Sequence, residues 1–199
     1  MRFNKSVLFE LVLVAACVHA VHSVNKHTHA DGRERVMWTV GIGSIGVAAF
    51  LGAIVYSGET SFSDLHKVAT RAGGTIGVAG LLLGSLITLD VLRPYGKETE
   101  LMVLGAGLVA GVAVFITSES NERARKSFQV AVMASIIVVS LLKIGSSSAA
   151  IYLLASVLTL AAVDPLKKPL RDALNISDVD VYHIMLTLSV YLFGLAVKA

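Results

Sequence analysis

The sequence predicts an all-α polytopic membrane protein, with about six transmembrane helices in a compact bundle that follow an N-terminal signal peptide or signal anchor. The 199 residues are 55% hydrophobic and only 16% charged, with a mean hydropathy of +0.74. Long apolar runs alternate with short loops that carry nearly all of the charge. Because the runs lack the alternating pattern of outer-membrane strands, helices are the structure that satisfies their backbone groups in lipid.

The N-terminal segment, residues 1–20, has the features of a secretory signal peptide. Two basic residues, Arg2 and Lys5, precede an apolar stretch over residues 7–18 that is interrupted only by Glu10. A small-residue cleavage site follows this stretch. The alternative is an uncleaved signal anchor, because the same run could cross a thin bilayer.

Residues 21–35 are predicted to form a polar lumenal tail. His27 and His29 bracket Thr28, so an extended chain would point both imidazoles to one side, as a weak zinc or copper ligand pair requires. No further ligand follows at a structural zinc spacing. The segment is therefore interpreted as a tail without a metal site.

The membrane domain, residues 36–199, contains six predicted spans. They are residues 36–56, 72–89, 101–117, 128–142, 145–163 and 179–197. The first has no charged residue and is long enough, at ~1.5 Å per residue, to cross a hydrocarbon layer of ~30 Å. Turn-forming residues after Lys143 divide the fourth span from the fifth.

Two loops contain predicted helix starts. Ser61 with Asp64, and Ser177 with Asp180, have the spacing of a capping box. The first predicts a short interfacial helix that leads into the second span. Leu166, Leu170 and Leu174 recur at helical spacing among basic residues, which predicts a segment lying on the membrane surface.

Charge in the loops predicts the orientation. With the N-terminal tail outside, more Lys and Arg residues fall in the inner loops than in the outer ones, as cytoplasmic loops prefer. A cleaved signal peptide also places the tail outside, so both termini are expected in the lumen. The glycosylation sequon at Asn175 then faces the cytosol and is expected to be unused.

Glycines four residues apart predict close helix packing. They are Gly73 and Gly77, Gly80 and Gly84, and Gly107 and Gly111. Small residues at this spacing share one helix face and let backbones approach. The alternatives are a glycine-lined path or a homodimer face.

Three positions near the membrane carry ionisable groups that could support chemistry. Asp90 with Arg93 closes the second span, Lys143 lies in the hairpin turn, and Asp180 with His183 begins the last span. Asp180 and His183 share a helix face, so the carboxylate could orient the imidazole. The alternative for all three is an anchor in the headgroup layer.

The Asp180-x-x-His183 spacing resembles the membrane hydrolases of the alkaline ceramidase and progestin-receptor-like superfamily. That resemblance implies three histidines with an Asp and a Ser around zinc. Within residues 36–199 the only histidines are His66 and His183, and the final helix lacks the expected His pair. No family, catalytic residue, metal or cofactor is therefore assigned from the sequence.

Two functions from different classes remain. The first is a non-enzymatic multi-pass protein of the endoplasmic reticulum or another secretory-pathway membrane, which acts by packing against lipids or membrane-protein partners. The second is a small transporter or channel with a glycine-rich helix core, in which Asp90, Lys143 or His183 controls the path. Nucleic acid is not expected as a partner, because the basic residues are scattered over the loops.

Overall fold

The described part of the protein consists of helices joined by short turns and loops, without strands. The structure is a computed structural model that describes residues 5–27 and 32–199. The α-helices are α1 (Lys5–His27), α2 (Gly32–Tyr56), α3 (Ser63–Ala72), α4 (Val78–Thr88), α5 (Lys97–Thr117), α6 (Glu122–Lys143), α7 (Ser148–Ala161), α8 (Val163–Leu174) and α9 (Asp178–Ala196). Short 3-10 helices occupy Thr60–Phe62 and Arg93–Tyr95, and a π-helix occupies Gly73–Gly77. The all-α fold predicted from the sequence is confirmed.

Six helical segments within the described residues are long and apolar enough to cross a membrane. They are Lys5–His27, Gly32–Tyr56, Thr60–Thr88, Lys97–Thr117, Glu122–Lys143 and Asp178–Ala196. The predicted fifth span, residues 145–163, corresponds to α7, which has only 14 residues. It passes the same test only together with α8, from which it is bent by 67°.

The outer faces of α5 and α6 carry large apolar side chains. Met102 on α5 is 74% exposed and Leu142 on α6 is 78% exposed, and Val109, Ile116 and Val130 are exposed as well. Apolar surface on this scale is unfavourable in water and favourable in lipid. The helices therefore indicate a membrane protein.

The first helix is part of the core. Leu13, Cys17, Ala20 and Val24 of α1 are buried in the main apolar cluster with residues of α2, α4, α7 and α9. The helix also extends to His27, so it includes residues 21–27 of the predicted tail. Residues 32–35 of the predicted tail belong to α2, and His29 of the predicted His27/His29 pair lies outside the described residues.

The two ends of the bundle are identified by contacts between distant helices. Lys5 Nζ donates to the Asn175 carbonyl at 3.2 Å, and Ser6 Oγ donates to Asp180 Oδ1 at 2.8 Å. We call this end, which contains α8 and the N-termini of α1, α6 and α9, the α8 end. At the opposite end, Ser148 Oγ donates to the Ala199 carbonyl at 2.9 Å. Lys5, at the start of α1, and Ala199, just after α9, therefore lie at opposite ends of the bundle.

The start of the second span differs from the predicted capping box. Glu59, not Ser61, caps the 3-10 helix, because its carboxylate accepts from the Ser61 amide at 3.2 Å and from the Ser61 hydroxyl at 2.6 Å. The side chain of Asp64 instead pairs with Lys67 at 2.9 Å. The predicted Ser61/Asp64 box is therefore wrong, although a short amphipathic helix, α3, does lead into the span.

The last helix begins where the sequence predicts. The Ser177 side chain accepts from the Asp180 amide at 3.1 Å, and Asp180 Oδ2 accepts from the Ser177 amide at 2.9 Å. This confirms the second capping box. Before it, α8 continues through Pro169 and ends at Leu174. Asn175 caps this end in the left-handed conformation, with φ of 50°.

Glycine brings α2 and α4 into backbone contact. A Cβ at Gly80 would lie 2.8 Å from the Gly41 amide nitrogen and 2.9 Å from the Met37 carbonyl oxygen. A Cβ at Gly84 would lie 2.8 Å from the Trp38 ring. These distances are shorter than real side chains tolerate, so these two glycines leave no room for a larger residue.

The contribution of this contact to stability stays a prediction. Gly80→Ala should push α4 away from α2 and lower the free energy of unfolding in detergent by ~1 to 3 kcal/mol, since the atoms it meets are backbone. Gly105→Ala is the matched control, because a Cβ at Gly105 meets nothing within 4 Å. Equal thermal unfolding temperatures for the two variants would contradict the expectation.

Candidate functional site

A cavity of about 600 Å³ lies inside the bundle and reaches the α8 end. Its polar lining comes from Glu10 on α1, His66 and Thr70 on α3, Arg125, Lys126 and Gln129 on α6, Asp164 and Lys167 on α8, and Tyr182 and His183 on α9. Its apolar lining includes Leu13, Ile45, Val78, Leu81, Met133, Leu186 and Phe193. A cavity of this size and mixed lining is typical of a small-molecule site.

The centre of the polar lining is a contact between α1 and α9. Glu10 Oε1 lies 3.3 Å from His183 Nε2. Only 2% of Glu10 and 8% of His183 are exposed. Since an isolated charge is expensive to bury, each side chain depends on the other for a partner.

The ends of α1 and α9 are held together beside this pair. Ser6 and the Ser177 amide occupy the two carboxylate oxygens of Asp180. The carboxylate in contact with His183 is that of Glu10. In the sequence, Glu10 is the interruption in the predicted signal peptide. Asp180 fixes the position of α1 instead.

Two residues on neighbouring helices complete the surroundings of Glu10. A Cβ at Gly52 on α2 would collide with the Glu10 carboxylate and would lie 3.1 Å from Cε1 of His66. His66 Nδ1 lies 3.0 Å from the Ala48 carbonyl oxygen, and since a carbonyl only accepts, Nδ1 carries a proton that it donates there. Gly52 therefore provides the space in which the carboxylate and His66 approach each other.

Two polar atoms of the pair have no partner. Glu10 Oε2 and His183 Nδ1 are buried and make no hydrogen bond within residues 5–27 and 32–199. Most buried polar atoms in proteins are paired, so two such atoms on adjacent side chains need an explanation. They distinguish this cluster from an ordinary structural ion pair.

The rim of the cavity is basic. Arg125 and Lys126 contact Glu122 at 3.7 and 2.9 Å, and Lys167 contacts Asp164 at 3.1 Å. These pairs lie within single helices and join half-buried or exposed cations to exposed carboxylates, so they contribute little stability and can exchange partners. The rim can therefore bind an anion.

One wall of the cavity is a π-helix. Gly73 and Gly74 in the π-helix line the cavity, and Gln129 Nε2 donates to the Gly74 carbonyl at 2.9 Å. A π-helix has an irregular hydrogen-bond pattern and is frequent at functional sites. Gln129 thus supports the backbone where the regular helical pattern is interrupted.

The structure separates the other predicted site residues from this cavity. Asp90 and Arg93 lie at the opposite end of the bundle, 3.8 Å apart and both largely exposed. Lys143 is the last residue of α6, also at that end. Of the predicted ionisable residues, only His183 lines the cavity, with Asp180 one turn away.

Glu10 and His66 are not among the site residues predicted from the sequence. Glu10 did leave a signal, because an acidic residue within an apolar run is expensive in a membrane and marks a functional position there. His66 left none, since it belongs to the amphipathic helix α3. No group of three His, Cys, Asp or Glu side chains placed to hold a metal ion occurs among the residues described.

Gly52 offers a test of the geometry around Glu10. Gly52→Ala should displace the Glu10 carboxylate or α2, and so lower the unfolding temperature in detergent. Gly43→Ala on the same helix is the control, because its Cβ would meet only the Thr39 methyl group at 4.0 Å. A Gly52→Ala protein as stable as the control would show that the carboxylate lies elsewhere.

Comparison with known families gives one result. The family DUF6962, described as a family of unknown function, matches residues 6–199. Comparison with curated proteins and with solved structures gives no match.

Proposed function

Because the chain belongs to the DUF6962 family, whose function is unknown, we propose a function from the cavity itself: a non-enzymatic multi-pass membrane protein that binds one single-chain amphiphile with an anionic head group. The observation that carries the proposal is a cavity with an apolar interior and a basic rim. An amphiphile has the same division into an apolar chain and a charged head.

The apolar part of the cavity is long enough for an alkyl chain. Along α9 the lining runs from His183 to Phe193, which is ~15 Å at ~1.5 Å per residue. Leu13, Ile45 and Leu81 line the same inner region. Burying a chain there contributes ~0.8 kcal/mol for each CH₂ group removed from water.

The rim supports an anionic head group. Arg125, Lys126 and Lys167 outnumber Asp164 among the rim residues that line the cavity. Arg125 Nε is buried and has no hydrogen-bond partner within the described residues. A phosphate or carboxylate at this level would pair with these cations.

The mouth lies between two amphipathic helices, which supports a ligand that arrives from the lipid leaflet. Leu65 and Val68 on α3 are 52% and 40% exposed, and Leu174 on α8 is 53% exposed. Both helices contribute polar residues to the cavity lining. Helices with exposed apolar and basic faces lie at the level of the lipid head groups.

Charge and span length support an orientation and a compartment. Among the described residues, the α8 end carries Lys5, Lys67, Arg71, Arg123, Arg125, Lys126, Lys167, Lys168 and Arg171, whereas the opposite end carries Lys26, Arg33, Arg35, Arg93, Lys97, Lys143 and Lys198. The excess of positive charge favours a cytosolic α8 end. The 14-residue α7 suits a thin bilayer such as that of the endoplasmic reticulum.

A proton-coupled transporter is the second candidate. The buried Glu10–His183 contact favours it, since ionisable pairs inside apolar spans are typical of proton relays. The part of the bundle beyond the cavity favours a binding protein over a transporter, because buried side chains fill the place where a continuous path would run. Trp38, Ile42 and Val190 are 0% exposed in that region.

The binding proposal predicts a measurable affinity. Purified protein in detergent should bind a lysophosphatidic acid, and Arg125→Gln should weaken binding about tenfold by removing a charge-assisted hydrogen bond to the phosphate. Native mass spectrometry or a thermal-shift titration gives the Kd. Lys198→Ala, at the opposite end, is the control and should bind like the wild type. No binding to the wild type, or equal binding by both variants, would count against this site.

The orientation predicts the location of each terminus. If α1 is an uncleaved signal anchor, a tag before Lys5 should be digested by protease added to intact microsomes, whereas a tag after Ala199 should be protected. Asn175, at the α8 end, should then carry no glycan. Loss of the N-terminal tag during synthesis would instead support cleavage, and a protected N-terminal tag would contradict the orientation.

A further inference from the structure

The Glu10–His183 contact has features that a binding role for the basic rim does not explain. It lies inside the rim, towards the apolar part of the cavity, because both residues sit about one turn inside α1 and α9. Glu10 Oε2 and His183 Nδ1 remain without partners. The inference that follows rests on the proposed function and specifies the ligand further.

The protonation of the pair determines what kind of group it can receive. In the state with Glu10 ionised and one proton on the His183 ring, that proton lies on Nε2, which faces Glu10 Oε1 at 3.3 Å. With one proton on the ring, Nδ1 keeps its lone pair. Both unpartnered atoms are then acceptors, and the group that matches them is a hydrogen-bond donor.

The surrounding charges add a preference for a cation. Asp180 is occupied by Ser6 and by the Ser177 amide, and His66 is held by the Ala48 carbonyl. Tyr182 lies beside His183, with ring centroids 5.8 Å apart. Arg125 contacts Glu122 at the rim, and its buried Nε has no hydrogen-bond partner among the described residues. In the state with Glu10 ionised and His183 neutral, the Glu10–His183 pair carries a net negative charge.

We propose that Glu10 and His183 select amphiphiles that carry a hydrogen-bond donor, a primary ammonium or a hydroxyl group, between the alkyl chain and the anionic head. The order of groups in the ligand follows the order of groups in the cavity. The chain lies against the inner apolar wall, the donor meets Glu10 Oε2 and His183 Nδ1, and the anion reaches Arg125 and Lys126.

Three probes with the same alkyl chain and the same phosphate test this selection. They differ only on the carbon next to the phosphate-bearing carbon, which carries an ammonium, a hydroxyl or hydrogen alone. The ammonium and hydroxyl probes should bind the wild type about tenfold more tightly than the probe with hydrogen alone, and the ammonium probe should bind most tightly. Affinities are measured in one detergent at one pH and one salt concentration.

Variants of the pair identify the residues responsible. Glu10→Gln keeps the shape but removes the charge, so the preference for the ammonium probe should be lost. His183→Phe removes the Nδ1 acceptor and should reduce the preference for both donor probes. Asp90→Asn, the same carboxylate-to-amide change at the opposite end of the bundle, is the control and should keep the wild-type ratio of affinities. An unfolding curve for each variant shows whether it is folded.

The outcomes separate this inference from the function on which it rests. If none of the three probes binds the wild type, the binding function fails and the inference fails with it. If all three bind with equal affinity, or if Glu10→Gln and His183→Phe keep the wild-type ratio, the inference is overturned while amphiphile binding stands. If a variant does not fold, the ratio of the three probes' affinities for the wild type decides between these outcomes.

Discussion

The packing of α1 against α2 and α9 is the constraint on which the rest of the structure depends. Small residues permit it: a Cβ at Gly46 would lie 3.0 Å from Cβ of Cys17, and a Cβ at Gly194 would lie 3.1 Å from Cβ of Ala20. This approach places four α1 side chains in the main apolar core. The same helix packing brings Glu10 next to His183, so both the apolar core and the cavity require α1.

The charged side chains of the described residues gather at the two ends of the bundle. At the end opposite α8, Trp38 Nε1 donates to Thr88 Oγ1 at 3.0 Å, and Thr88 Oγ1 donates to Glu34 Oε1 at 2.6 Å. Every group in that chain has a partner, as a structural network requires. The Glu10–His183 pair differs because it borders a cavity and keeps two buried atoms unpaired. That difference is why we assign binding to one end only.

The sequence predicts those features that depend on local pattern. Uncharged runs of membrane-spanning length predict helices, and the Ser177/Asp180 spacing predicts the start of α9 because a capping box is formed by residues three apart. The same pattern fails at Ser61, where the nearby Glu59 carboxylate competes for the Ser61 amide and hydroxyl. The contact between Glu10 and His183 depends on which helices become neighbours, and a single sequence does not contain that information. Glu10 also lies within a predicted signal peptide, where a polar residue in the apolar run does not require a partner on another helix.

The cavity divides affinity and selectivity between its two regions. The inner wall of Leu13, Leu81 and Phe193 offers only dispersion and the exclusion of water, which favour any alkyl chain and are not directional. The polar lining adds directional contacts, and an unmatched polar group there leaves buried atoms unpaired. Rejection of a ligand that lacks the matching group is therefore stronger than discrimination by chain length. For this reason, the identity of the ligand depends on the few polar residues near Glu10 and Arg125, although most of its contact area lies with apolar ones.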